Sequence, residues 1–486
     1  MPTSFTFDTN KCTGCQACRL ACTIENGLDL DRSWRSIVTF NEKQDPAAPL
    51  FHLSLACNHC ADPACMGACP ALAYSKDPRT GIVLLDSDKC IGCRYCSWAC
   101  PYDAPEWDAA SGVMSKCTFC DDRLALGLAP ACATACPTGA LGVADLGPGA
   151  VSNEVEGFPH TGLGPSIDIT PLRAGGTAPE ASAAPPARHL EPGRRPLTSR
   201  ITLRSEWSLM AFSLLAAVLF GMLAAAVVAG WPLAPWYFLA AGLLAMALSA
   251  AHLGRKLRAW RAILNVAHSW LSREILGFTL FVGMGTLYLA GTAGLIAEVV
   301  ATGNVATGDA AAGASGWIAL AFGLLTLISI DRVYDFAIRP APGLPHSAGA
   351  LLTGLFFAAI LAANPLLAGG AGALKLILYV ARKVVIARQV QAMRRPGQAV
   401  GAARSSGGMT GPVARQVIGA LRIWIGLLLP AAIWALAPAS ARTSVMVFSA
   451  ALLGELIDRA EFYDELEILT PARQMADDLR RRLATL

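Results

Sequence analysis

The distribution of apolar residues divides the chain into two unlike halves. Up to residue 147, short apolar and polar stretches alternate and are separated by turns; KDPRTGIVLLDSDKC (76–90), for example, predicts a turn, a short strand and a loop. From Trp207 onward, apolar runs long enough to cross a hydrocarbon core of about 30 Å follow one another. The pattern therefore predicts an α+β domain followed by an all-α polytopic membrane domain.

About eight transmembrane helices are predicted. They lie near 207–229, 234–253, 275–299, 316–336, 348–368, 371–391, 416–437 and 441–459. The sixth segment is interrupted by Lys375, Arg382 and Lys383, so an amphipathic helix along the interface is the alternative for it. In that case seven segments would span the membrane.

The segment 253–274, between the second and third spans, predicts a helix lying in the headgroup plane. Its apolar residues recur at helical spacing and its cations avoid that face. The apolar residues are Leu253, Leu257, Trp260, Ile263, Ala267, Trp270 and Leu271, and the cations are Arg255, Lys256, Arg258 and Arg261. An ordinary basic loop is the alternative, but such a loop would need no apolar stripe.

Four regions follow from this pattern. Residues 1–147 form a cysteine-rich domain, 148–200 a Pro/Gly/Ala-rich flexible linker, 201–465 the eight-helix membrane anchor and 466–486 a charged C-terminal tail. The whole chain has 486 residues, 54% of them hydrophobic and only 15% charged, which is typical of a membrane protein. The net charge of +4 gives no indication of nucleic-acid binding.

The basic residues predict which side of the membrane the cysteine-rich domain faces. The flanks on its side contain Arg194, Arg195, Arg200, Arg204, Arg255, Lys256, Arg258, Arg261, Arg273, Arg332 and Arg339. The loops after the first and third spans contain no Lys or Arg. The positive-inside rule therefore predicts a cytoplasmic cysteine-rich domain. The N-terminus MPTSFTFDTN, which has no export signal, agrees with this placement.

All 16 cysteines lie between Cys12 and Cys136, in four groups. The groups are Cys12, Cys15, Cys18, Cys22; Cys57, Cys60, Cys65, Cys69; Cys90, Cys93, Cys96, Cys100; and Cys117, Cys120, Cys132, Cys136. Two of them follow the C-x2-C-x2-C-x3-C run of bacterial ferredoxins, in which the fourth cysteine ligates the neighbouring cluster. The other two lengthen the middle gap. Proline follows the fourth cysteine of the last three groups, whereas Thr23 follows Cys22.

This spacing suits iron–sulfur clusters. Three cysteines two residues apart wrap a tight loop around one corner of a cubane, and we expect a short helix to begin at the fourth and to direct its sulfur away. Dense soft thiolates favour such clusters. Zinc is the alternative, since C-x2-C pairs also form zinc sites, but zinc pairs do not recur with a C-x3-C-P ending. Disulfides are not expected in a chain without a signal peptide.

The order of the groups, with the wide gap in CTFCDDRLALGLAPACATACPTGAL (117–141), resembles the iron–sulfur subunit of the dimethyl sulfoxide reductase family of molybdenum enzymes. The membrane half, with HLGRKLRAWRAILNVAHSWLSRE (252–274), resembles the quinol-binding anchor subunit of the same family. The two parts are usually separate chains, and here they are fused. The resemblance implies a ferredoxin-like fold and a bacterial cytoplasmic (inner) membrane location.

The resemblance also implies crossed pairing of the cysteine groups. The ligand sets would be Cys12, Cys15, Cys18 with Cys136; Cys117, Cys120, Cys132 with Cys22; Cys57, Cys60, Cys65 with Cys100; and Cys90, Cys93, Cys96 with Cys69. Some relatives have tryptophan in place of a third-group cysteine and hold a three-iron cluster. Because Cys93 is present here, we expect four [4Fe-4S] clusters.

Several polar residues near the cysteines can be explained without a role at the clusters. His52 and His59 are expected to be surface or packing residues rather than ligands. Arg19, Arg94, Lys116 and Arg123 would raise cluster potentials if they lay close to the iron, but solvated surface charge explains them equally well.

A quinone site is predicted at the cytoplasmic ends of spans two and three. His252 closes span two and Glu274 opens span three, and an imidazole with a carboxylate can exchange protons and hydrogen-bond a quinone oxygen. The alternative is a capping histidine and a glutamate paired with Arg273 or Arg255. Arg273 is a further candidate for quinone or menaquinone binding, and the weaker candidates are Asp331, Tyr334 and Glu455.

Haem b is not expected, because only His252 lies within or at the end of a predicted span. With the quinone site and the clusters on one side, proton exchange belongs on that side as well. We therefore expect electroneutral turnover; a proton-motive signal in liposomes driven by the complex alone would contradict this expectation.

The favoured function is an electron-transfer and membrane-anchor subunit, itself not catalytic toward the terminal substrate. By resemblance it serves a molybdopterin-containing catalytic subunit in anaerobic or respiratory electron transport, with the molybdopterin only in that partner. The first alternative reverses the current, so that a donor such as sulfite is oxidised and quinone is reduced. The second is a transporter or coupler with an iron–sulfur sensor domain, which would need polar residues deep in the spans; apart from Lys375 these look scarce.

Overall fold

The computed structural model describes residues 3–29, 32–146, 151–173, 201–295, 305–339, 346–392, 412–437 and 441–485. The chain divides into two compact units. One comprises residues 1–198, 391–403 and 468–486, and the other comprises 199–390 and 404–467. Arg194, Arg195 and Arg200, three of the cations used to predict sidedness, lie outside the described residues.

The first unit alternates short strands with short helices. Its strands are β1 (Thr3–Asp8), β2 (Ser36–Phe40), β3 (Phe51–Leu55), β4 (Tyr74–Lys76), β5 (Val83–Leu85), β6 (Glu106–Asp108), β7 (Val113–Ser115), β8 (Leu141–Asp145) and β9 (Ile167–Thr170). Its helices are α1 (Ala17–Glu25), α2 (Ala64–Ala68), α3 (Tyr95–Ala99), α4 (Asp121–Ala125), α5 (Ala131–Thr134) and the C-terminal α15 (Pro471–Ala484). The α+β composition predicted from the sequence is confirmed, and β5 is the strand expected within 76–90.

One three-stranded sheet and three hairpins frame the cysteine loops. In the sheet, β1 lies between β8, to which it is antiparallel, and β9, to which it is parallel. The antiparallel pairs β2–β3, β4–β5 and β6–β7 are the hairpins. Phe5 of β1, Phe40, Phe119 and several cysteines share one buried cluster, so the core of this unit lies among the thiols.

Residues 151–173 do not form the predicted linker. Ile167 of β9 lies opposite Phe5 in the sheet register, and Phe158 is fully buried in the same core. The prediction from composition was wrong here because a few apolar residues, brought to β1 from far along the chain, outweigh the surrounding proline and glycine. The remaining part of the predicted linker, 174–200, lies outside the described residues.

The C-terminal segment is a folded helix rather than a charged tail. Met475 of α15 is buried in the core of the first unit, and Leu479 and Leu483 pack against that core. These residues recur every four positions and so share one helix face. The Gly157 N–H donates to the Asp478 carboxylate at 2.9 Å, which ties α15 to the segment before β9.

The second unit is almost entirely helical. Its helices are α6 (Leu203–Ala229), α7 (Pro235–Ala251), a 3₁₀ helix (Lys256–Ile263), α8 (Trp270–Thr292), α9 (Val305–Arg332), α10 (Ala350–Leu361), α11 (Pro365–Ala392), α12 (Pro412–Ile423), a π turn (Trp424–Leu428), α13 (Leu429–Leu436) and α14 (Ala441–Glu465). Two short strands accompany them, β10 (Ala337–Arg339) and β11 (Glu467–Ile468).

Helices occupy all eight predicted spans, but they differ in their capacity to cross a bilayer. Among the described residues, four are long and apolar enough: Leu203–Ala229, Trp270–Thr292, Gly313–Arg332 and Gln416–Leu436. The bent pair formed by α7 and the 3₁₀ helix raises this to five if it counts as one span. The number of eight spans therefore stays a prediction. The end of the predicted third span, 296–299, lies outside the described residues.

The predicted fifth span ends earlier than its apolar run. Helix α10 has 12 residues, which corresponds to about 18 Å and is shorter than the hydrocarbon core. The chain turns at Ala363, whose φ of 52° is left-handed, and Pro365 begins α11. Proline cannot continue the preceding helix, because it lacks the N–H that the helix requires.

The single helix predicted over 253–274 is also wrong. The 3₁₀ helix lies at 105° to α7 and ends at Ile263, and α8 begins only at Trp270. The break between them is stabilised by Arg273, whose guanidinium donates to the carbonyls of Val266 (2.8 Å) and Ala267 (2.6 Å). Leu257 and Trp260 of the 3₁₀ helix are exposed, as the interfacial placement requires.

Charged residues deep in the second unit are more numerous than the sequence suggested. Lys375 of α11 is fully buried and pairs with Glu455 of α14 at 2.9 Å. Asp458 of α14 accepts from both Arg382 and Arg422 at 2.8 Å. Such residues were expected to be scarce apart from Lys375; in the fold these charges neutralise one another across α11, α12 and α14.

Candidate functional site

The four cysteine loops share one backbone feature. In each first C-x2-C pair, the residue just before the second cysteine has a left-handed backbone. These residues are Gly14 (φ 70°), His59 (φ 43°), Gly92 (φ 71°) and Phe119 (φ 64°). This conformation favours glycine, and at Gly14 a Cβ would also approach the His52 ring to 2.9 Å. The repeated conformation curls each loop in the same way.

The curled loops direct backbone N–H groups at sulfur. Phe119 donates to the Cys117 sulfur at 3.3 Å and Gly92 to the Cys90 sulfur at 3.4 Å, each from two residues further along. The fourth cysteines receive similar bonds, for example at 3.4 Å from Leu141 to Cys136. Hydrogen bonds of this kind stabilise a thiolate and tune the potential of a cluster that it ligates.

The fourth cysteine of each group lies within a helix or shortly after one, not at its start as predicted. Helix α1 begins at Ala17, so Cys18 lies in its first turn and Cys22 one turn later. Four residues of α-helix rise about 6 Å. That rise carries the Cys22 sulfur away from the loop that holds Cys18. Cys69 and Cys100 follow the last residues of α2 and α3 in the same manner.

Cys22 faces a different cysteine group. One cavity is lined by the four thiols of Cys22, Cys117, Cys120 and Cys132 together with Arg35. Burial raises the pKa of the Cys22 thiol to about 11, and the neighbouring Cys132 and Cys120 add to this, while Arg35 lowers it. At neutral pH the Cys22 thiol would hold its proton unless a metal displaced it.

The other twelve thiols fall into three further sets. Within each set, burial raises the pKa of a thiol first and its neighbouring thiols raise it further. The sets are Cys12, Cys15, Cys18 and Cys136; Cys57, Cys60, Cys65 and Cys100; and Cys90, Cys93, Cys96 and Cys69. Every set thus takes its fourth member from another sequence group, and all sixteen thiols are free.

Neighbouring sets also influence one another. After burial, the pKa of Cys117 is raised by Cys57, and that of Cys96 is raised by Cys65 among others. Cys132 likewise raises the pKa of Cys18. Thiols of different sets therefore lie near enough for their charges to interact.

The histidines and basic residues that the sequence singled out are engaged in packing. His59 is buried against Phe119, with 5.3 Å between ring centroids, and its Nδ1 accepts from the Val83 N–H at 3.0 Å. His52 shares a 3.0 Å hydrogen bond with Thr39. Both observations agree with the expected packing role.

Each of the four basic residues also has a partner. Arg123 pairs with Glu25 at 3.1 Å, and Arg94 lies 4.2 Å from the Trp107 ring centroid. Lys116 donates to two backbone carbonyls, and Arg19 bonds the Gln16 side chain. The sequence could not rank these four, since burial depends on distant strands.

In the second unit, Glu274 lies in a buried polar cluster. It is 4% exposed, in the second turn of α8. The Tyr334 and Tyr463 hydroxyls are hydrogen-bonded to each other. Glu274 and Glu206 both lie near enough to Tyr334 for their charges to act on its hydroxyl. These four groups therefore lie close together.

The other predicted membrane residues have distinct placements. His252 is the C-cap residue of α7. The Arg273 guanidinium is held by the loop before α8 and lies 4.3 Å from the Trp270 ring centroid. Asp331 accepts from the first N–H groups of α10, at 2.6 Å from Ala350, and so acts as a helix cap.

Sequence reasoning missed Glu206 and Tyr463 as members of this cluster. Glu206 directly precedes the first apolar run, so the rule that marks Glu274, an ionisable group at a span end, marks Glu206 equally well. Tyr463 has no comparable signal, because its position beside Tyr334 depends on how α14 packs.

Family comparisons divide the chain at the same place as its fold. Residues 49–146 match the family described as 4Fe-4S dicluster domain. Residues 204–338 match the family described as DMSO reductase anchor subunit (DmsC). The second match covers α6 to α9, including His252, Glu274 and Tyr334, and ends before the buried charges of α11 and α14.

Characterised relatives align with the first unit. One polypeptide of the anaerobic dimethyl sulfoxide reductase of Haemophilus influenzae is 42% identical over 151 residues, which cover 29% of this chain and 73% of that protein. The polypeptide of the same name in Escherichia coli is 42% identical over 152 residues, covering 30% and 72%. One subunit of the sulfite dehydrogenase of Allochromatium vinosum is 39% identical over 154 residues, covering 27% and 64%. The chain therefore belongs to the dimethyl sulfoxide reductase family, as a fusion of an iron–sulfur electron-transfer domain with a membrane anchor domain.

Proposed function

We propose that this chain carries electrons, through four [4Fe-4S] clusters, between a quinone site in its membrane unit and a separate molybdopterin-containing catalytic subunit. The observation that supports the proposal is the cavity that brings Cys22 of the first group to Cys117, Cys120 and Cys132 of the fourth. When bound, such clusters exchange one electron at a time, and a row of them makes a conduit.

The four thiol sets are the proposed ligands. Each has four soft donors, and one cavity is lined by the four residues Cys22, Cys117, Cys120 and Cys132. This donor chemistry fits an iron–sulfur cluster better than a hard cation, which prefers oxygen ligands. The left-handed loop residues and their N–H groups would support the thiolates.

Glu274 is the proposed proton-exchanging residue of the quinone site. Quinol oxidation releases two electrons and two protons, and the electrons leave one at a time toward the thiol sets. Glu274 would accept one of the two protons and the His252 imidazole the other, and the Tyr334–Tyr463 pair offers hydroxyls for hydrogen bonds to a quinone oxygen. His252, at the end of α7, is the second proposed contact, and Arg273 orders the loop that precedes Glu274.

The partner and the membrane side are part of the proposal. The two relatives named as polypeptides of dimethyl sulfoxide reductase support a molybdopterin-containing partner. We place the thiol sets on the cytoplasmic side of a bacterial inner membrane, because the predicted flanks on that side contain eleven basic residues against none in the loops after spans one and three.

The second candidate function is electron transfer in the opposite direction, from the partner subunit to quinone. The similarity to a protein named as a sulfite dehydrogenase subunit favours it. In this direction the partner would oxidise its donor, and the two electrons, with two protons, would reduce quinone to quinol at the same site.

The buried charges of α11, α12 and α14 give little support to the transporter alternative. Lys375, Glu455, Asp458, Arg382 and Arg422 neutralise one another at 2.8–2.9 Å. Closely paired groups of this kind fix helices in place.

The test compares two electron donors in the purified complex. Glu274→Gln should lower quinol-dependent turnover at least tenfold, while turnover with reduced methyl viologen, which delivers electrons without the quinone site, should stay near the native rate. Asp335→Asn is the matched control, because Asp335 is a partly exposed carboxylate paired with Arg332 at 3.0 Å. Quinol turnover that survives Glu274→Gln would contradict the proposal.

A further inference from the structure

Arg35 is the most deeply buried cation of the first unit. It is 1% exposed and is among the largest fully buried side chains of the chain. In the part of the chain that the structure describes, no carboxylate lies within ion-pairing distance of it. A buried guanidinium without a counter-charge is costly to the fold, so its retention calls for a negative group nearby.

Only part of the guanidinium is satisfied by protein. Nη1 donates to both the backbone oxygen and the hydroxyl of Ser54 at 3.1 Å, and the plane lies 4.5 Å from the Phe5 ring centroid. Nε and Nη2 are buried and have no partner among the described residues. Two nitrogens of a permanent cation, with three N–H bonds between them, are therefore left for something that the protein alone does not supply.

The surroundings of Arg35 are thiols of two different sets. Arg35 lines the cavity formed with Cys22, Cys117 and Cys132. It also reaches Cys18 of the neighbouring set through Ser54, whose hydroxyl lies 3.3 Å from the Cys18 sulfur. The thiols of both sets raise the pKa of Arg35 against the effect of burial. The charge thus stands between two adjacent thiol sets.

We propose that Arg35 is a potential-setting residue that holds its charge and its two unpartnered nitrogens, Nε and Nη2, against the clusters bound by the Cys22 and Cys18 sets. This inference rests on the proposed function, since it assumes that the sets bind clusters. A cubane with four thiolates is net anionic and gains negative charge on reduction. A nearby fixed cation therefore stabilises the reduced form and raises the midpoint potential.

The same reasoning separates Arg35 from the other cations. Arg123 is neutralised by Glu25, and the Arg94 guanidinium lies over the indole ring of Trp107. Arg19 follows Cys18 in the sequence but is partly exposed and bonds Gln16, so solvent screens its charge. Arg35, by contrast, is held by Ser54, shielded from solvent and close to two thiol sets.

The test is a redox titration of the purified chain with its clusters loaded, followed by electron paramagnetic resonance. Arg35→Met should lower the midpoint potentials of the clusters of the Cys22 and Cys18 sets, each by at least a tenfold change in the reduction equilibrium, about 59 mV for one electron. Two clusters should titrate as in the native chain and serve as internal references. They are those proposed for Cys57, Cys60, Cys65 and Cys100 and for Cys90, Cys93, Cys96 and Cys69. Arg35→Lys, which keeps the charge, should have midpoint potentials close to the native ones.

Arg19→Met is the matched control and should leave all potentials unchanged. Should Arg35→Met fail to assemble, Arg35→Gln applies the same test, since its amide can still donate to Ser54. The native chain offers an independent measurement: with arginine labelled by ¹⁵N, hyperfine spectroscopy of the reduced clusters should detect a guanidinium nitrogen. Unchanged potentials in assembled Arg35→Met or Arg35→Gln, or no arginine coupling in the native chain, would overturn the inference. Clusters that do not load at all would instead refute the proposed function.

Discussion

At the scale of single residues, the wider gap before Cys22 is explained by helix geometry. Cys18 and Cys22 are one turn apart on α1, so Cys22 lies about 6 Å further along the helix axis, where it lines a cavity with Cys117, Cys120 and Cys132. The sequence predicted this crossing through a family resemblance and the ferredoxin spacing. It did not predict Arg35, since a single arginine between polar residues looks like surface charge until Phe5 and Ser54 enclose it.

A substitution of Cys22 tests the crossed arrangement. Cys22→Ser should disturb the cluster of Cys117, Cys120 and Cys132, because it removes one of four sulfurs from their cavity. The cluster beside Cys12 and Cys18 should keep its spectrum. Cys136→Ser is the converse control. Electron paramagnetic resonance of the reduced chain distinguishes the two, and loss of the Cys12 cluster in Cys22→Ser would refute the crossing.

At the scale of elements, the errors of prediction share a cause. Strand β9 and helix α15 were assigned to a linker and a tail, because their neighbours in sequence are polar or rich in proline. Both are folded by distant partners: β9 by β1, and Met475 of α15 by the core around Phe158. The membrane helices, by contrast, were found from local apolar runs alone, since a span must be apolar over its own length.

The contact of α15 with the first unit can be tested at Met475. Met475→Ala should destabilise this unit by about 2–5 kcal/mol, as other large-to-small core substitutions do. Hydrogen exchange at 155–158 should become faster, since the Met475 side chain packs against Gly157. Arg481→Ala, whose side chain is 75% exposed, is the control and should change nothing. Equal exchange in both variants would show that α15 does not contribute to the core.

The charges of α11, α12 and α14 predict a strong effect at Asp458. Asp458→Asn removes the counter-charge shared by Arg382 and Arg422 and should lower stability by about 3–5 kcal/mol. Asp335→Asn, which breaks a partly exposed pair with Arg332, should cost at most about 1 kcal/mol. Thermal unfolding in detergent micelles compares them. Similar unfolding temperatures for the two variants would mean that the buried network adds little stability.

At the scale of the whole molecule, the chain joins two functions of its family in one polypeptide. The first unit resembles iron–sulfur subunits, and the second contains the anchor match with Glu274 in a buried polar cluster. The sequence sufficed for this division, because cysteine spacing and apolar length are local signals. The grouping of Glu274 with Glu206, Tyr334 and Tyr463 is not local, since it joins residues of α6, α8 and α14 with the segment after α9.

Electron exchange between quinone and the isolated chain tests the central claim most directly. The purified chain with its clusters loaded, and without any catalytic subunit, is mixed rapidly with excess quinol when oxidised and with excess quinone when reduced by dithionite. We expect cluster absorbance to change in at least one of the two mixtures. Glu274→Gln should abolish the change. Clusters that respond to dithionite but to neither quinol nor quinone would contradict the proposed electron transfer.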